Sequence, residues 1–295
     1  MTLTFRARPG NLRQLELGDF SLDQLLGLSL DAVARFEIEA SRGVLGDWFE
    51  IHGATDQPRW VFEGTGNWLD GLGTEFCQGE LIIDGDVGRR VARRARGGEI
   101  VVYGATGSWA GSGMRGGTLS IAGNSGDFLG GPLRGERGGM RGGVIFVGGD
   151  CGSEVGHRLR RGTMIVAGSV GPRGAWEMIA GTLVVGGAVG TDVGFAMRRG
   201  TIMLLAESVL AVAGPSDPQR GQQWTGGSSV PHEFFPLLVR AIRAQWARGI
   251  ERCVRELPSV AACPLEPSES PRGWLRRVGD RRVGGLGELL SRAVR

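Results

Sequence analysis

The stretch Gly162-Thr-Met-Ile-Val-Ala-Gly168 recurs 19 residues later as Gly181-Thr-Leu-Val-Val-Gly-Gly187. The shared pattern is a leading glycine, two aliphatic residues separated by one position, and usually a closing glycine. Seven copies occur, with leading glycines Gly79, Gly98, Gly117, Gly143, Gly162, Gly181 and Gly200, so that the interval is 19 residues except for one of 26. A repeat of this length indicates a solenoid, in which each unit buries its apolar side by stacking on its neighbours.

The second and fourth residues after each leading glycine are aliphatic, as in Leu119 and Ile121. Such alternation places both on one side of a strand, facing the interior. Two further positions of the repeat, those of Met114 and Ala110, are also apolar or small in most copies. Several sides of each turn therefore face the interior, so the coil must close on itself. The sequence therefore predicts an all-β protein, a parallel β-helix of coils of about 19 residues, with a small α/β N-terminal lead-in and a C-terminal helix.

Three regions follow from this pattern: an N-terminal lead-in and cap over 1–45, the parallel β-helix over 46–210, and a C-terminal loop, helix and tail over 211–295 that packs on the solenoid or on partners. Ser29-Leu-Asp-Ala-Val-Ala34 is typical of a short capped helix. Trp48–Gly53 and Trp60–Gly64 have the period-2 pattern of irregular first coils. Residues from Pro236 to about Leu257 have helical periodicity.

Composition excludes several classes of protein. The chain has 54 glycines, yet 41% of its residues are hydrophobic, which argues against a disordered linker. A net charge of +3 does not indicate nucleic-acid binding. The four cysteines lack C-x-x-C spacing, so neither a disulfide framework nor a zinc site is predicted. The stretch Met1–Arg8 has no apolar core of signal-peptide length and Glu207 interrupts the longest apolar run, so we expect a cytoplasmic protein without a leader or a membrane segment.

The position between the two core residues of each strand should face outward, yet it is mostly apolar. Its apolar members are Ile82, Val101, Phe146, Ile165, Val184 and Met203, which we predict to be interface residues. An apolar face of this length needs a cover. Both a partner protein and the C-terminal helix of the same chain fit this requirement.

A basic row stands two places before the leading glycines. It consists of Arg96, Arg115, Arg141, Arg160 and Arg198. Stacked like charges repel. One interpretation is that these arginines extend into water or pair with Glu99, Glu154, Glu177 and Asp192. The other is that they bind an acidic subunit or a polyanionic ligand, for which the guanidinium fork is suited.

The single long interval contains an insertion of seven residues near Gly130–Arg137. In a solenoid such an insertion forms a loop on one face, either merely tolerated or used to dock a partner.

No catalytic or metal-binding residues are predicted. His52, His157 and His232 fall in different regions and are not paired with a nucleophile. Gly111-Ser-Gly-Met-Arg-Gly116 satisfies G-x-G-x-x-G, but it lies in the glycine columns of the repeat and no helix follows.

Several segments carry a family resemblance. They are Leu22–Asp31, Leu45–Gly53, Gly126-Asp-Phe-Leu129, Gly139-Met-Arg-Gly-Gly143, Glu154-Val-Gly-His-Arg-Leu-Arg-Arg-Gly162 and Val278–Leu290. Together with the repeat, these segments resemble the C (gamma) subunit of formylmethanofuran dehydrogenase. They are most similar to its bacterial counterpart, the C (gamma) subunit of the formyltransferase/hydrolase complex. The coil pattern alone is also similar to the C-terminal β-helix of the glutamate synthase large subunit.

The resemblance implies a subunit without its own active site. The apolar outer column and the absence of catalytic spacing lead to our first hypothesis, a β-helical scaffold that holds the catalytic subunits in place. In the bacterial complex, other subunits transfer a formyl group from formyl-tetrahydromethanopterin to a methanofuran-type carrier, methylofuran, and hydrolyse it to formate. The implied partners are a formyltransferase, an amidohydrolase-type hydrolase with zinc, and a further subunit. A second hypothesis is that the basic row binds the carrier's polyglutamate tail. Alternatives are the equivalent (gamma) subunit of a molybdenum or tungsten formylmethanofuran dehydrogenase and a glutamate-synthase-like module. An independent enzyme such as a polysaccharide lyase has only fold analogy in its favour.

Overall fold

The computed structural model describes residues 2–10, 13–18, 20–206, 228–230, 235–253, 263–266, 274–279 and 285–292. Its N-terminal elements are β1 (Leu3–Ala7), β2 (Leu15–Glu16), α1 (Leu30–Ala34), β3 (Glu37–Ile38), β4 (Gly43–Val44), α2 (Leu45–Trp48) and β5 (Phe49–Gly53), with 3-10 turns at Leu22–Leu25 and Glu39–Ser41. The predicted capped helix is confirmed, because the Ser29 hydroxyl accepts a hydrogen bond from the Ala32 N–H at 3.2 Å.

The repeats form a ladder of parallel strands. These are β6 (Arg59–Thr65), β8 (Glu80–Gly85), β9 (Glu99–Val102), β10 (Thr118–Ile121), β11 (Val144–Val147), β12 (Thr163–Val166), β13 (Thr182–Val185) and β14 (Thr201–Leu204). The short strand β7 (Leu69–Asp70) lies outside this ladder and pairs in parallel with β2. From β8 to β14 each strand pairs with the strand of the next repeat, with equivalent positions adjacent. Leu119 pairs with Ile100 on one side and Ile145 on the other. The insertion therefore leaves the register unchanged.

Successive repeats also touch outside the strands. A second column of parallel bridges joins Val87, Thr106, Ser125, Cys151, Val170 and Val189. Farther along each repeat, the Gly111 N–H donates to the Val91 carbonyl at 2.8 Å, and the Arg115 N–H donates to the Ala95 carbonyl at 2.7 Å. Each repeat thus stacks on its neighbour along its whole length. The inward residues of all these segments share one buried apolar core.

The N-terminal end of the ladder differs from the sequence-based interpretation. Strand β1 lies between β6 and β5, parallel to β6 and antiparallel to β5. Trp48–Gly53 is therefore no parallel coil, because its strand ends the sheet by pairing with the lead-in. An ionic cluster fixes the lead-in to the first repeat: the Asp70 carboxylate, 2% exposed, binds the Arg89 and Arg90 guanidinium groups, and Arg90 also pairs with Glu16.

At the other end, the chain returns to the sheet after a helix. The C-terminal elements are β15 (Ser228–Ser229), α3 (Phe235–Cys253), β16 (Trp274–Gly279) and β17 (Gly287–Arg292). Strand β17 continues the parallel ladder beside β14, while β16 and β15 pair antiparallel beyond it. The described residues thus form an all-β fold with a largely parallel sheet of 13 strands and a C-terminal helix. Among these residues, no helix has the length and apolar character needed to cross a membrane.

Candidate functional site

Helix α3 lies across the outer face of the sheet, against β9, β10 and β11. The Trp246 ring meets the Phe146 ring edge to face, with centroids 6.1 Å apart. Phe235 at the start of the helix contacts Trp274, and Arg252 near its end pairs with Glu99 of β9. A helix of 19 residues is about 28 Å long, close to the six strand spacings from β17 to β9. The helix axis therefore runs along the stack.

This helix covers most of the predicted interface column. Val101, Phe146, Ile165, Val184 and Met203 are at most 4% exposed. All of them except Val101 share one apolar cluster with residues of α3 that recur at helical spacing, namely Phe235, Val239, Ile242 and Trp246. Ile82 lies one strand beyond β9 and is half-buried. The structure thus corrects the assignment of this column to other proteins, because the chain's own helix presents an apolar stripe that fits it.

The basic row forms a regular array at one corner of the stack. The N–H groups of Arg115, Arg141 and Arg160 donate to carbonyls of the preceding repeat at 2.7, 2.7 and 2.9 Å. Successive row positions therefore lie one strand spacing apart, about 4.8 Å. All five row arginines are exposed.

Most of these arginines have no intramolecular counter-charge in the described part of the chain. Arg96 pairs with Glu75 at 2.9 Å, whereas no ion pair joins Arg115, Arg141, Arg160 or Arg198 to a described carboxylate. Three of the carboxylates expected to neutralise the row bind elsewhere: Glu99 binds Arg252, Glu154 binds Arg173 and Glu177 binds Arg158. The interpretation that these three glutamates pair with the basic row is wrong, because each forms an ion pair with an arginine outside the row.

The half-buried carboxylates differ in their electrostatics. Burial raises the pKa of Glu99, and Arg252 only partly opposes this rise. Burial acts in the same direction on Glu177, but hydrogen bonding to Arg158 and its charge outweigh it and lower the pKa of that carboxyl. Glu177 is thus held as a carboxylate at neutral pH.

The insertion folds back onto the stack. The Glu136 carboxylate accepts hydrogen bonds from Arg93 and Arg94 at 3.1 and 2.8 Å and from the Leu133 N–H at 3.1 Å. Burial alone would raise the pKa of Glu136, but these three donors together lower it. The Arg160 side chain packs against Gly138 at the base of the loop, while Arg134 and Arg137 are exposed.

Sequence reasoning missed a ladder of aromatic rings on another corner. Trp109, Phe128, His157, Trp176 and Phe195 follow one another with centroids 5.2 to 6.3 Å apart. The signal was present as aromatic residues 11 or 14 places after the leading glycines. Burial lowers the pKa of His157, and the Glu154 carboxylate opposes this effect. His157 is therefore largely neutral at pH 7.

The remaining reactive side chains are dispersed. The described residues contain no group of three His, Cys, Asp or Glu side chains placed to hold a metal ion. All four cysteines are free. Burial raises the pKa of Cys253 to about 12 and also raises that of Cys151, so both remain thiols at neutral pH. His52 is exposed, and His232 lies outside the described residues.

The fold and its surface define a class of glycine-rich repeat proteins whose parallel strands stack into a ladder and whose outer face is covered by a helix of the same chain. No protein-family model matches the sequence. No curated protein matches it. A solved structure does: a chain of the formyltransferase/hydrolase complex (FhcABCD) from Methylorubrum extorquens in complex with methylofuran, with a TM-score of 0.80 and 31% identity. The match covers 99% of this chain and 100% of that chain. The protein therefore belongs to the family of this component of the formyltransferase/hydrolase complex.

Proposed function

We propose that this chain is the C (gamma) subunit of a formyltransferase/hydrolase complex and serves there as a non-catalytic scaffold. The observation that carries the proposal is the match along nearly the full length of both chains. The complex would pass a formyl group from formyl-tetrahydromethanopterin to methylofuran and hydrolyse it to formate. The chemistry, including any zinc, would belong to the formyltransferase and hydrolase subunits.

The proposed architecture of the repeat region is a parallel β-helix. Three properties support it: the strands, the bridge column and the corner segments all pair with their equivalents one repeat away. Polar side chains serve the same stacking. The Asn124 side-chain oxygen accepts from the Asp150 N–H at 2.8 Å, and the Asp150 carboxylate accepts from the Ser169 N–H at 2.7 Å. Such a stack is a rigid body on which other subunits can be positioned.

The scaffold role is favoured by how the charged groups are used. Glu154, Glu177 and Asp70 are each bound to arginines of the same chain. A general acid or base must instead face a substrate within hydrogen-bond reach. The row arginines Arg115, Arg141, Arg160 and Arg198, which form no ion pair with a described carboxylate, are among the groups available to contact a partner.

A co-purification experiment tests this function. Tagged full-length chain is expressed with formyltransferase and hydrolase subunits, and we expect a stable complex of fixed stoichiometry. Removing this subunit should abolish assembly while each catalytic subunit keeps its fold. A chain that stays a separate monomer in the presence of both enzymes would contradict the proposal. Co-purification instead with subunits carrying molybdopterin and iron–sulfur clusters would favour the dehydrogenase alternative, and co-purification with an amidotransferase would favour the glutamate-synthase-like module.

A further inference from the structure

We infer that the row Arg115, Arg141 and Arg160 is a docking surface for an acidic α-helix of a partner protein, lying along the axis of the stack. The inference rests on the proposed function, in which the chain is one subunit of a complex, and it adds the chemistry and geometry of one contact.

The charge of the row favours an acidic partner. Three arginines stand on consecutive repeats without an ion pair to any described carboxylate, and all three are exposed. Their mutual repulsion at a spacing of about 4.8 Å is relieved by an array of carboxylates placed opposite. The neighbouring Arg161, Arg134 and Arg137 are also exposed and enlarge the positive surface. Ile179 takes the next row position and ends the continuous array.

The spacing of the three arginines favours a helical partner over an extended one. On an α-helix, carboxylates at i, i+3 and i+7 share one face and are separated along the axis by about 4.5 and 6 Å. Their total rise of about 10.5 Å is close to the 9.6 Å or so that spans three rungs. On an extended chain, residues of one face are about 6.8 Å apart, so three of them span roughly 13.6 Å. The helix matches the row more closely.

The molecule itself contains a helix docked in this orientation. Helix α3 already lies along the stack axis and places a charged side chain, Arg252, against a carboxylate on the solenoid, Glu99. An acidic helix on the basic row would repeat this arrangement with the charges exchanged. The side chain of Arg160 rests on Gly138 of the insertion, so the insertion borders the surface and can limit where such a helix ends.

The test uses three fluorescent peptides and the full-length chain. One is an alanine-based helical peptide with glutamates at i, i+3, i+7 and i+10. The second has the same composition with the glutamates distributed around the helix. The third is an unstructured oligoglutamate of equal charge. We expect the first to bind about tenfold more tightly than the other two, with an affinity that falls as salt is raised, because exposed ion pairs are individually weak and screened.

A matched pair of variants assigns the binding to the row. Arg115→Gln, Arg141→Gln and Arg160→Gln together should weaken the first peptide about tenfold. Arg35→Gln, Arg240→Gln and Arg248→Gln remove the same charge from exposed positions elsewhere and should leave it within about twofold. Circular dichroism checks that both variants fold. Equal losses in the two variants, or equal binding of all three peptides, would overturn the inference.

Tighter binding of oligoglutamate would assign the row to a flexible polyanion such as the carrier tail. These outcomes are independent of whether the wild-type chain assembles with catalytic subunits, which tests the proposed function alone.

Discussion

At Gly117 two separate constraints exclude a side chain. The backbone φ of +77° is in the left-handed region, and a β-carbon there would lie 2.5 Å from the carbonyl oxygen of Gly97 in the preceding repeat. The stack brings successive backbones so close at this corner that even a methyl group has no room. The leading glycine is therefore required by the neighbouring repeat as well as by its own conformation.

Replacing Gly117 by alanine should destabilise the protein by about 3 kcal/mol or more, because the left-handed conformation costs about 1–2 kcal/mol and the overlap adds strain. Gly135 is the matched control. Its φ is +84°, but nothing lies within 4 Å of an added β-carbon, so Gly135→Ala should cost only about 1 kcal/mol. Urea denaturation of both variants measures the difference. Equal losses would show that conformation alone explains the glycine column.

The glycine columns were readable in the sequence, whereas other left-handed residues were not. Ala92, Trp109 and Ala175 have φ of 57°, 62° and 57° although they carry side chains. Their conformation is supported by hydrogen bonds to neighbouring turns of the chain: the Ala92 N–H donates to the Leu72 carbonyl of the preceding turn at 2.9 Å, and the Trp109 N–H donates to the Asp127 carbonyl of the following one at 2.9 Å. Local sequence preference does not contain this long-range constraint.

Among the elements, α3 depends on close contact at Gly249. A β-carbon at this position would overlap ring carbons of Phe146. In an isolated helix, glycine to alanine is favourable by about 1 kcal/mol. Here Gly249→Ala should instead destabilise by about 1–2 kcal/mol, because overlap with the ring outweighs the gain in helix propensity. Thermal and chemical denaturation measure the change.

The Phe146→Ala background provides the control for this contact. That substitution should itself cost about 3–5 kcal/mol. Once the ring is gone, adding Gly249→Ala should be neutral or stabilising by up to about 1 kcal/mol. The same cost for Gly249→Ala in both backgrounds would mean that the clash is not with Phe146.

The insertion is fixed by Glu136, whose pKa is lowered by its donors despite partial burial. A carboxyl with a lowered folded pKa stabilises the fold above its unfolded pKa, and this contribution is lost as pH falls through the folded value. Glu136→Gln should cost about 1 kcal/mol at pH 7, and the gap to the wild type should narrow below about pH 4.5. Glu50→Gln, which breaks an exposed pair with Arg8 at 3.6 Å, should change little at either pH. A gap for Glu136→Gln that does not vary with pH would indicate a purely steric role.

The positions of the helices and strands could be predicted only in part from the local sequence. The helical period after Pro236 predicted α3, and the described part of the helix ends at Cys253. The apolar column under it was equally compatible with a partner protein. An apolar face indicates that something covers it, but it does not identify the covering element. The placement of β1 beside β6 and of β17 beside β14 was also missed. Such pairings join residues distant in sequence. Strand β1 lacks the glycine pattern of the repeat, and β17 carries it only in part, because Gly287 takes the leading position next to Gly200 but Ser291 stands where the second aliphatic residue would be.

At the scale of the whole molecule, two arrangements of the outer face are compatible with assembly into a complex. Either α3 stays on the sheet and partners bind other surfaces, or a partner displaces it and uses the apolar column. Four column residues, from Phe146 to Met203, are no more than 1% exposed beneath the chain's own C-terminal elements. A partner that displaced α3 would have to bury all of this apolar area itself. Each large side chain left exposed would cost roughly 1.5–3 kcal/mol of free energy. The energetics favour a helix that stays in place.

A disulfide that holds α3 on the sheet tests whether the helix stays in place during assembly. Because a β-carbon at Gly249 would overlap the ring of Phe146, we expect cysteines at these two positions to be close enough to form a disulfide. We expect the oxidised Phe146→Cys/Gly249→Cys chain to assemble with its partner subunits in the wild-type ratio, since the disulfide would fasten a contact that assembly does not break. Mass spectrometry confirms the bond, and the reduced form of the same variant controls for loss of the aromatic ring. Assembly that occurs only after reduction would mean that α3 must leave the sheet. In that case the apolar column, and not the arginine corner, would be the surface on which the complex is built.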